Sequence, residues 1–388
     1  LIDTFVLNEG EVTFPRFLAD FTAGNQLHKI YETTDYADIR SSPLPDLSII
    51  DLNQYECMSI QVSRGCPFHC DFCNVTALLG HIPRIKSVEQ IIAELEQLYR
   101  AGWRHNVFVV DDNFIGNKKF LKNELLPALI AWKEGKTGFH FITEASINLA
   151  DDPELMTLMA RAGFVDVFIG IETPNELSLS ECNKKQNSKR DLIRDIKTIQ
   201  HHGMQVMAGF IVGFDNDPPD IFDRMIAFIQ NSGIVTAMVG LLQAPFGTKL
   251  YARMKKEGRI LHEMSGDNSD GSTNIQTKIP PPILSRGYFR IMKNIYAPQM
   301  LYPRIKTFLE NFNPRKVTVN IRLNELLAFI KSLFVMGFNP IEYRYYWDLI
   351  WWTVRHDIRK FPTAITMVIY GYHFRTITER NLRALPGG

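Results

Sequence analysis

The sequence predicts an α/β protein with a partial (β/α)6 barrel at its centre, and three observations support this fold class. Six short apolar runs alternate with six helical patterns between residues 57 and 260. The runs are apolar almost throughout, which is typical of parallel strands covered by helices. A cysteine-rich loop directly follows the first run, at the strand end where barrels of this kind place their chemistry.

Local signals set the limits of the six strand–helix units. The predicted strands are residues 60–62, 107–110, 139–143, 167–171, 206–212 and 236–242. The predicted helices are residues 87–102, a helix ending near 134, and residues 152–163, 188–203, 220–232 and 249–256. Ser87 and Gln90 stand in the positions of a capping box for the first helix, and Pro153 lies in the first turn of the third. Crossovers between the parallel strands are expected to be right-handed.

Segments on both sides of the barrel complete the predicted organisation. Residues 1–28 read as one strand and one helix, which cannot bury a core alone, so we interpret them as the last part of an α/β domain. Residues 29–56 are a predicted linker, residues 57–260 the barrel, and residues 261–388 a mostly helical extension. The sequence starts with Leu1 inside an apparent strand, and we interpret the chain as a fragment or a processed product.

Three cysteines in one short loop give the clearest chemical signal. Cys66, Cys70 and Cys73 follow the spacing C-x3-C-x2-C. Three thiolates can hold three irons of a cubane 4Fe-4S cluster and leave the fourth iron open for a substrate, as catalysis requires. A zinc site would normally show a second pair of ligands, whereas Cys57 and Cys182 stand alone and are expected to be unliganded thiols.

Composition limits the class of protein further. The chain has 388 residues, of which 45% are hydrophobic and 22% charged, and its formal net charge is +1. This balance is ordinary for a globular protein and gives no reason to expect a nucleic acid as partner. Five cysteines are too few for a disulfide scaffold. We predict a cytoplasmic protein, because no signal peptide is recognised and an oxygen-sensitive cluster suits a reducing compartment.

The loop around the cysteines resembles a known signature. Residues 63–73 read SRGCPFHCDFC, with the aromatic Phe72 before the last cysteine. This resembles the C-x3-C-x-aromatic-C motif of the radical S-adenosylmethionine (SAM) superfamily. The resemblance implies that SAM chelates the open iron. It further implies that one electron, from a donor such as flavodoxin or ferredoxin, cleaves SAM into methionine and a 5′-deoxyadenosyl radical that abstracts a hydrogen atom. An alternative remains: His69, inside the loop, could be the ligand of the fourth iron, which would leave no iron position for SAM.

Polar residues at the predicted strand ends match positions where this family holds SAM. Asp111 and Asp112 follow the second strand and, by the resemblance, bind the ammonium group of SAM. Their alternative role is to cap the next helix. Glu144 and Ser146 follow the third strand, and Glu172 ends the fourth in a G-x-E pattern. These three residues are candidates for the ribose hydroxyls or the amino-acid part of SAM.

The fourth and fifth strands carry two further expectations. Glu172 has the alternative role of pairing with a buried arginine such as Arg64. The fifth strand contains Gly209, Ile211 and Gly213, a pattern that resembles the G-x-I-x-G segment of the family. The resemblance implies that the backbone of this strand lies beside the adenine of SAM, and glycine permits such a close approach.

The resemblance extends beyond the barrel and implies a subgroup. Residues 5–11 resemble the last strand and turn of a cobalamin-binding domain, and residues 245–251 resemble a segment of cobalamin-associated members. Residues 274–312 resemble an extension found in hopanoid methyltransferases and other lipid-related members. The subgroup implies cobalamin as a cofactor, bound mainly upstream of this chain, and methylation of an unactivated carbon on a small, lipid-like substrate. The alternatives are a cyclase, coupling or rearrangement enzyme and, more distantly, a non-catalytic iron–sulfur electron-transfer protein.

The C-terminal region differs in charge from the rest of the chain. Residues 315–388 contain 11 Lys and Arg but only 5 Asp and Glu, a net charge of +6. Aromatic residues crowd between residues 343 and 352, while the uncharged run 361–374 is shorter than the roughly 20 residues that span a bilayer. We predict peripheral contact with the inner face of an anionic membrane. The alternative is that these helices only pack on the barrel or on the preceding domain.

Overall fold

The computed structural model describes residues 2–264, 266, 271–314 and 323–384. The chain separates into two compact units. The first consists of Leu1–His69 and Cys73–His140, and the second of Cys70–Phe72 and Phe141–Gly388. The four predicted domains, with boundaries at residues 28, 56 and 260, stay predictions, and residues 315–322 and 385–388 of the last one lie outside the described residues.

The first unit contains three pairs of short strands with their helices. Its elements are β1 (Phe5–Val6), α1 (Gly10–Ala23), β2 (Ile30–Tyr31), β3 (Cys57–Ile60), β4 (Ser63–Arg64), α2 (Val75–Leu79), β5 (Arg84–Ile85), α3 (Val88–Arg100), β6 (Asn106–Val109), α4 (Lys118–Phe120) and α5 (Leu126–Lys133). Strands β1 and β2 pair in parallel, and β4 and β5 pair antiparallel. Strands β3 and β6 pair in parallel, with Cys57 opposite Asn106 and Ile60 opposite Val109.

The second unit contains a parallel sheet. Its strands and the helices between them are β7 (His140–Glu144), α6 (Pro153–Ala162), β8 (Phe164–Glu172), α7 (Glu176–Glu181), α8 (Leu192–His201), β9 (Gln205–Val212), α9 (Ile221–Ser232), β10 (Ala237–Leu241) and α10 (Lys249–Lys256). Among the described residues the strands pair in the order β7, β8, β9, β10, and every pair is parallel. The predicted α/β fold class and its strand–helix alternation are confirmed.

The helix limits follow the predicted capping signals. Ser87 accepts a hydrogen bond from the backbone N–H of Gln90 at 3.2 Å, which satisfies one of the unpaired donors at the start of α3. Helix α6 begins with Pro153 behind the capping carboxylate of Asp152, and it ends at Gly163, whose φ of 105° suits glycine. These are local interactions, so the sequence alone was sufficient to predict them.

One face of the second unit's sheet is sealed and the other is partly open. Along β9 the side chains of Val206, Ala208, Phe210 and Val212 are buried, whereas Met207, Gly209 and Ile211 are half-buried. Successive side chains of a strand point to opposite faces, so the buried set lies against the covering helices. The half-buried face is the one that remains accessible to a ligand.

The first strand differs from its prediction. It spans Cys57–Ile60 rather than residues 60–62. The carboxylate of Asp111, which follows β6, accepts hydrogen bonds from the backbone N–H of Val62 at 2.7 Å and from the hydroxyl of Ser63 at 2.6 Å. These bonds end the parallel pairing and direct the chain into β4, and the responsible residue lies too far along the sequence for a local pattern to reveal it.

Five helices form the C-terminal part of the second unit as described. They are α11 (Pro281–Ile295), α12 (Pro298–Asn311), α13 (Leu323–Ser332), α14 (Tyr343–His356) and α15 (Phe361–Ala384). The buried hydroxyl of Tyr296 receives the N–H of Ala237 at 3.1 Å and donates to its carbonyl at 2.8 Å, which fixes the start of β10 to the helices. The predicted helical extension is confirmed. None of the described helices is both long and apolar enough to cross a membrane.

Replacing Asp111 with asparagine should change how stability depends on pH. Burial raises the pKa of Asp111 to about 6, although hydrogen bonds from Ser63 and Val62 oppose the shift. The pKa of Asp111 is higher in the folded state than in the unfolded state. Its contribution to the free energy of unfolding is therefore complete below about pH 4 and is lost as the pH rises through about 6. The free energy of unfolding of the wild type should therefore rise relative to Asp111→Asn by roughly 2 kcal/mol between about pH 7 and pH 4.5.

Urea unfolding of both proteins at the two pH values measures this difference. Asp35→Asn, at an exposed carboxylate in the first unit, is the matched control and should follow the wild type. A pH-independent gap between wild type and Asp111→Asn would contradict the assignment.

Candidate functional site

The cysteine loop begins in the first unit, where its entry is tightly held. The N–H of Cys66 donates to the carbonyl of Gly80 at 3.3 Å. Gly65 has a φ of 102°, and a β carbon at this position would lie 3.0 Å from the carbonyl oxygens of both Gly80 and Leu79. Only glycine fits that conformation and that space. Gly65 therefore sets the position of the first cysteine.

A carboxylate and an ion network fix the residues before Cys66. Asp112 accepts the N–H of Gly65 at 3.1 Å. Arg64 bonds Glu11 at 2.9 Å and also bonds Glu9, which pairs with Arg84 at 2.7 Å. Burial alone would raise the pKa of Glu9, but its bonds to the two arginines lower it. The hydrogen bond from Arg64 likewise lowers the pKa of Glu11 to about 2.

These contacts answer two of the alternatives from the sequence. Asp111 and Asp112 bond the strand exit and the loop, and the short helical turn after them has Asn113 at its cap position. The helix-capping alternative is therefore wrong. Arg64 pairs with Glu9 and Glu11, so the pairing of Glu172 with Arg64 is wrong as well.

The second unit holds the middle of the loop. The N–H of Asp71 donates to the carbonyl of Cys182 at 3.0 Å, and the carbonyl of Asp71 receives the N–H of Leu250 at 2.8 Å. Phe72 packs on the hydrophobic cluster around Cys182 and Phe214. Backbone bonds of Asp71 and the packing of Phe72 thus fix Cys70–Phe72.

The three cysteines fit an iron–sulfur cluster as a donor set. Cys66, Cys70 and Cys73 are half-buried, and none of them forms a disulfide. In the part of the chain that the structure describes, no three His, Cys, Asp or Glu side chains are grouped closely enough to hold a single metal ion. The three thiolates of a cubane each bind a different iron of a larger group. His69 is exposed, and its ring centroid lies 3.9 Å from that of His81.

Glu172 lies at the end of β8 in an unusual environment. It is buried, its φ is 64°, and its carboxylate pairs with the ammonium of Lys184 at 2.6 Å. A β carbon on Gly170 would lie 2.8 Å from the nitrogen of Lys184 and closer still to the carboxylate of Glu172, so a larger residue would require this ion pair to shift. Lys184 was not among the predicted site residues, because it lies in a loop without any recognisable motif.

Three of the remaining predicted residues, Glu144, Gly209 and Ile211, lie in the parallel strands of the second unit. Gly170 is opposite Gly209 in the β8–β9 register, and Glu144 is opposite Phe168. Alternation along the strands then places Glu144, Gly209 and Ile211 on the half-buried face of the second unit's sheet. This face includes three of the residues that the sequence proposed for SAM.

Ser146 and Gly213 have local roles. The hydroxyl of Ser146, just beyond β7, is 2.6 Å from the amide oxygen of Asn148. Gly213 has a φ of 108°, and its N–H donates to Asp217 at 2.8 Å. Asp217 also accepts the hydroxyl hydrogen of Ser178 at 2.7 Å, so Gly213 forms a turn that this carboxylate fixes. The sequence did not single out Asp217.

Comparison with known proteins identifies the family. The Radical SAM superfamily matches residues 60–229, and a domain of unknown function, DUF4070, matches residues 248–385. An uncharacterized methyltransferase of Synechocystis, sll1242, is 36% identical over 97% of this chain and 71% of its own length. The hopanoid C-2 methylase of Rhodopseudomonas palustris is 36% identical over 71% of this chain, which spans about half of that relative (51%).

A solved structure shares the fold. OxsB, described as a cobalamin-dependent S-adenosylmethionine radical enzyme with aqua-cobalamin and SAM bound, matches with a TM-score of 0.55 at 17% identity, over 97% of this chain and 63% of that chain. This likeness concerns the fold alone, whereas the sequence matches establish the relationship. The chain is a radical SAM enzyme and belongs to the radical SAM superfamily, in the methyltransferase-like group that includes sll1242 and the hopanoid C-2 methylase.

Proposed function

We propose that this chain binds a 4Fe-4S cluster through Cys66, Cys70 and Cys73 and takes part in the methylation of an unactivated carbon on a lipid-like substrate. The observation that carries the proposal is the loop of three half-buried thiols, fixed by backbone bonds, in a chain whose relatives are named methyltransferases. When bound, the cluster supplies the electron that cleaves SAM into methionine and the 5′-deoxyadenosyl radical. A flavodoxin or ferredoxin is the proposed source of that electron.

The chain's own residues would bind and orient SAM. Both oxygens of Asp111 already accept hydrogen bonds inside the protein, so Asp112 is the better placed of the pair to accept the ammonium group of SAM. Glu144 and Glu172 are the proposed acceptors for hydroxyl groups, and Glu172 is held in place by Lys184. The backbone around Gly209 is the proposed neighbour of the adenine.

Cobalamin is the proposed methyl carrier, on a domain to which residues 1–28 contribute. Three side chains of α1 support this assignment, because Phe14, Leu18 and Phe21 are 48%, 41% and 62% exposed. An apolar face of this size on a helix is typical of a surface that packs against other structure. Substrate methylation, rather than cyclisation or rearrangement, is favoured by the names of the relatives.

Anaerobic reconstitution with iron, sulfide, cobalamin and labelled SAM should test the proposal. We expect SAM to change the electron paramagnetic resonance spectrum of the reduced cluster and 5′-deoxyadenosine to form. With a membrane lipid extract as substrate, methylation adds about 14 mass units to the product. Cys70→Ala should lose the cluster, while Cys57→Ala, at a thiol outside the loop, should keep it.

Three results would count against parts of the proposal. A cluster that ignores SAM would favour an electron-transfer protein. A product of unchanged mass, formed together with 5′-deoxyadenosine, would favour a cyclase or rearrangement enzyme. Full cluster occupancy in Cys70→Ala would remove Cys70 from the set of iron ligands.

Peripheral membrane contact is the second part of the proposal, because a lipid-like substrate resides in a bilayer. Helix α14 buries Tyr346 and Leu349 but leaves Trp351 59% exposed. Phe338 and Ile341, before this helix, are 69% and 73% exposed. Exposed basic side chains lie along the same region, at Lys331, Arg344, Arg355 and Arg359. Exposed aromatic residues interspersed with basic ones suit an anionic membrane surface.

Charge insertion into this surface should abolish vesicle binding. We expect the wild type to sediment with vesicles of phosphatidylcholine and phosphatidylserine and the double variant Phe338→Glu/Trp351→Glu to lose at least tenfold in binding, because each buried apolar side chain contributes about 1.5–3 kcal/mol. Ile49→Glu, at a residue 80% exposed in the first unit, is the control and should bind like the wild type. Equal sedimentation of wild type and double variant would exclude this surface.

A further inference from the structure

A polar segment of the second unit lies directly beside Cys70. The amide nitrogen of Gln186 is 3.5 Å from the sulfur of Cys70. The chain before Gln186 is attached to the cysteine loop, since the carbonyl of Cys182 accepts the N–H of Asp71 at 3.0 Å. The segment 182–187 therefore contacts the sulfur and the backbone of the loop at once.

This segment has a fixed conformation. Asn183 has a φ of 56°, which is uncommon for a residue other than glycine. The side-chain amide of Asn187 donates to the carbonyls of Gly170 and Ile171, both at 3.0 Å, and thereby attaches the segment to the end of β8. These bonds hold the segment against the end of β8, and asparagine tolerates the left-handed φ that the turn requires.

The direction of the Gln186 amide follows from its surroundings. A thiolate accepts hydrogen bonds, so the NH2 group faces the sulfur of Cys70, whereas the amide oxygen would be repelled by it. The oxygens of Gln186 and Asn187 are buried and have no hydrogen-bond partner within the described residues. Burying an acceptor without a hydrogen bond costs free energy. The contact between the NH2 group and the sulfur of Cys70, rather than a bond to the amide oxygen, therefore accounts for this orientation of Gln186.

A cation lies on the same segment. The ammonium of Lys184 pairs with Glu172 at 2.6 Å and lies 5.8 Å from the centroid of the Phe72 ring. Burial lowers the pKa of Lys184, but the attraction and hydrogen bond of Glu172 raise it more, so the pKa lies above its usual value. Lys184 is therefore a constant positive charge on the segment whose Gln186 contacts Cys70.

We propose that Gln186, together with Lys184, raises the reduction potential of the iron–sulfur cluster bound at Cys70. The inference rests on the proposed cluster. Reduction adds one electron, taken from an external donor such as a flavodoxin or ferredoxin, and involves no proton. The added negative charge is shared by iron and thiolate sulfur, so an N–H donor at the sulfur and a buried cation on the same segment stabilise the reduced state. Both residues are positioning residues, because they act through Cys70.

A redox titration of the reconstituted protein, followed by electron paramagnetic resonance, tests the proposal. Gln186→Met keeps the length of the side chain and removes the donor. We expect its reduction equilibrium to become about tenfold less favourable, which is about 59 mV for a one-electron couple. Gln200→Met, at a buried glutamine whose amide bonds the carbonyl of Ser232 instead, is the matched control and should keep the wild-type midpoint.

Lys184 provides the second set of variants. Lys184→Gln removes the charge and should also lower the midpoint potential, whereas Lys184→Arg keeps the charge and should restore most of the wild-type value. If Gln186→Met assembles too little cluster for titration, this pair decides the question alone. A merely structural role would lower the cluster content without moving the midpoint of the clusters that form.

The outcomes separate this inference from the proposed function. Midpoints of Gln186→Met and Lys184→Gln that equal the wild-type value, with full iron and sulfide content, would overturn the inference and leave the function intact. Failure of the wild type itself to assemble a SAM-responsive cluster would overturn the proposed function and this inference with it.

Discussion

The structure of the candidate site depends on backbone hydrogen bonds that hold the short cysteine loop in place. Within the first unit, Asp111 and Asp112 accept the N–H groups of Val62 and Gly65, and Cys66 bonds through its own N–H. Within the second unit, Asp71 uses its N–H and carbonyl in the same way. Since backbone groups provide much of the attachment, the conformation of the loop is set largely independently of the cysteine side chains, as a preorganised metal site requires.

The loop entry is also connected to the N-terminal segment. Arg64 precedes Cys66 by two residues and bonds Glu9 and Glu11, while Arg84 bonds Glu9 from the next strand. Buried ion pairs add little net stability, because the cost of desolvation offsets much of the attraction, but removing one partner leaves a buried charge uncompensated. The network therefore specifies a geometry: the turn before α1 and the approach to the first cysteine cannot move independently.

Most strands and helices could be predicted from the sequence because the interactions that define them lie within a few residues. Apolar periodicity and caps such as Ser87 act over a few residues, so the strands and helices were predicted nearly at their observed limits. The first strand was misplaced because Asp111, 49 positions away, terminates it. The short helix α7 (Glu176–Glu181), in the stretch before the predicted helix at residue 188, was missed for lack of an apolar stripe.

The candidate site was predictable where a motif exists and not elsewhere. The cysteines and the strand-end residues follow patterns with a fixed spacing, and the fold places Glu144 and Gly209 on one face as expected. Lys184 and Gln186 belong to the polar stretch 183–187, whose composition is typical of any solvated loop. This loop reaches Cys70 because it folds back onto the end of β8. That is a tertiary contact for which the sequence carries no local signal.

At the end of β8, the Glu172–Lys184 ion pair is held in a geometry that costs folding free energy. A left-handed conformation at Glu172 costs on the order of 1–3 kcal/mol, and burying both Glu172 and Lys184 adds a desolvation cost that a well-packed apolar pair would avoid. A side chain at Gly170 would displace this ion pair. The amide nitrogen of Asn187 bonds the strand end, while its buried oxygen has no hydrogen-bond partner within the described residues. These four features of one strand end are consistent with a single requirement: a fixed cation at Glu172 and, on the same segment, a fixed N–H donor beside the thiol of Cys70.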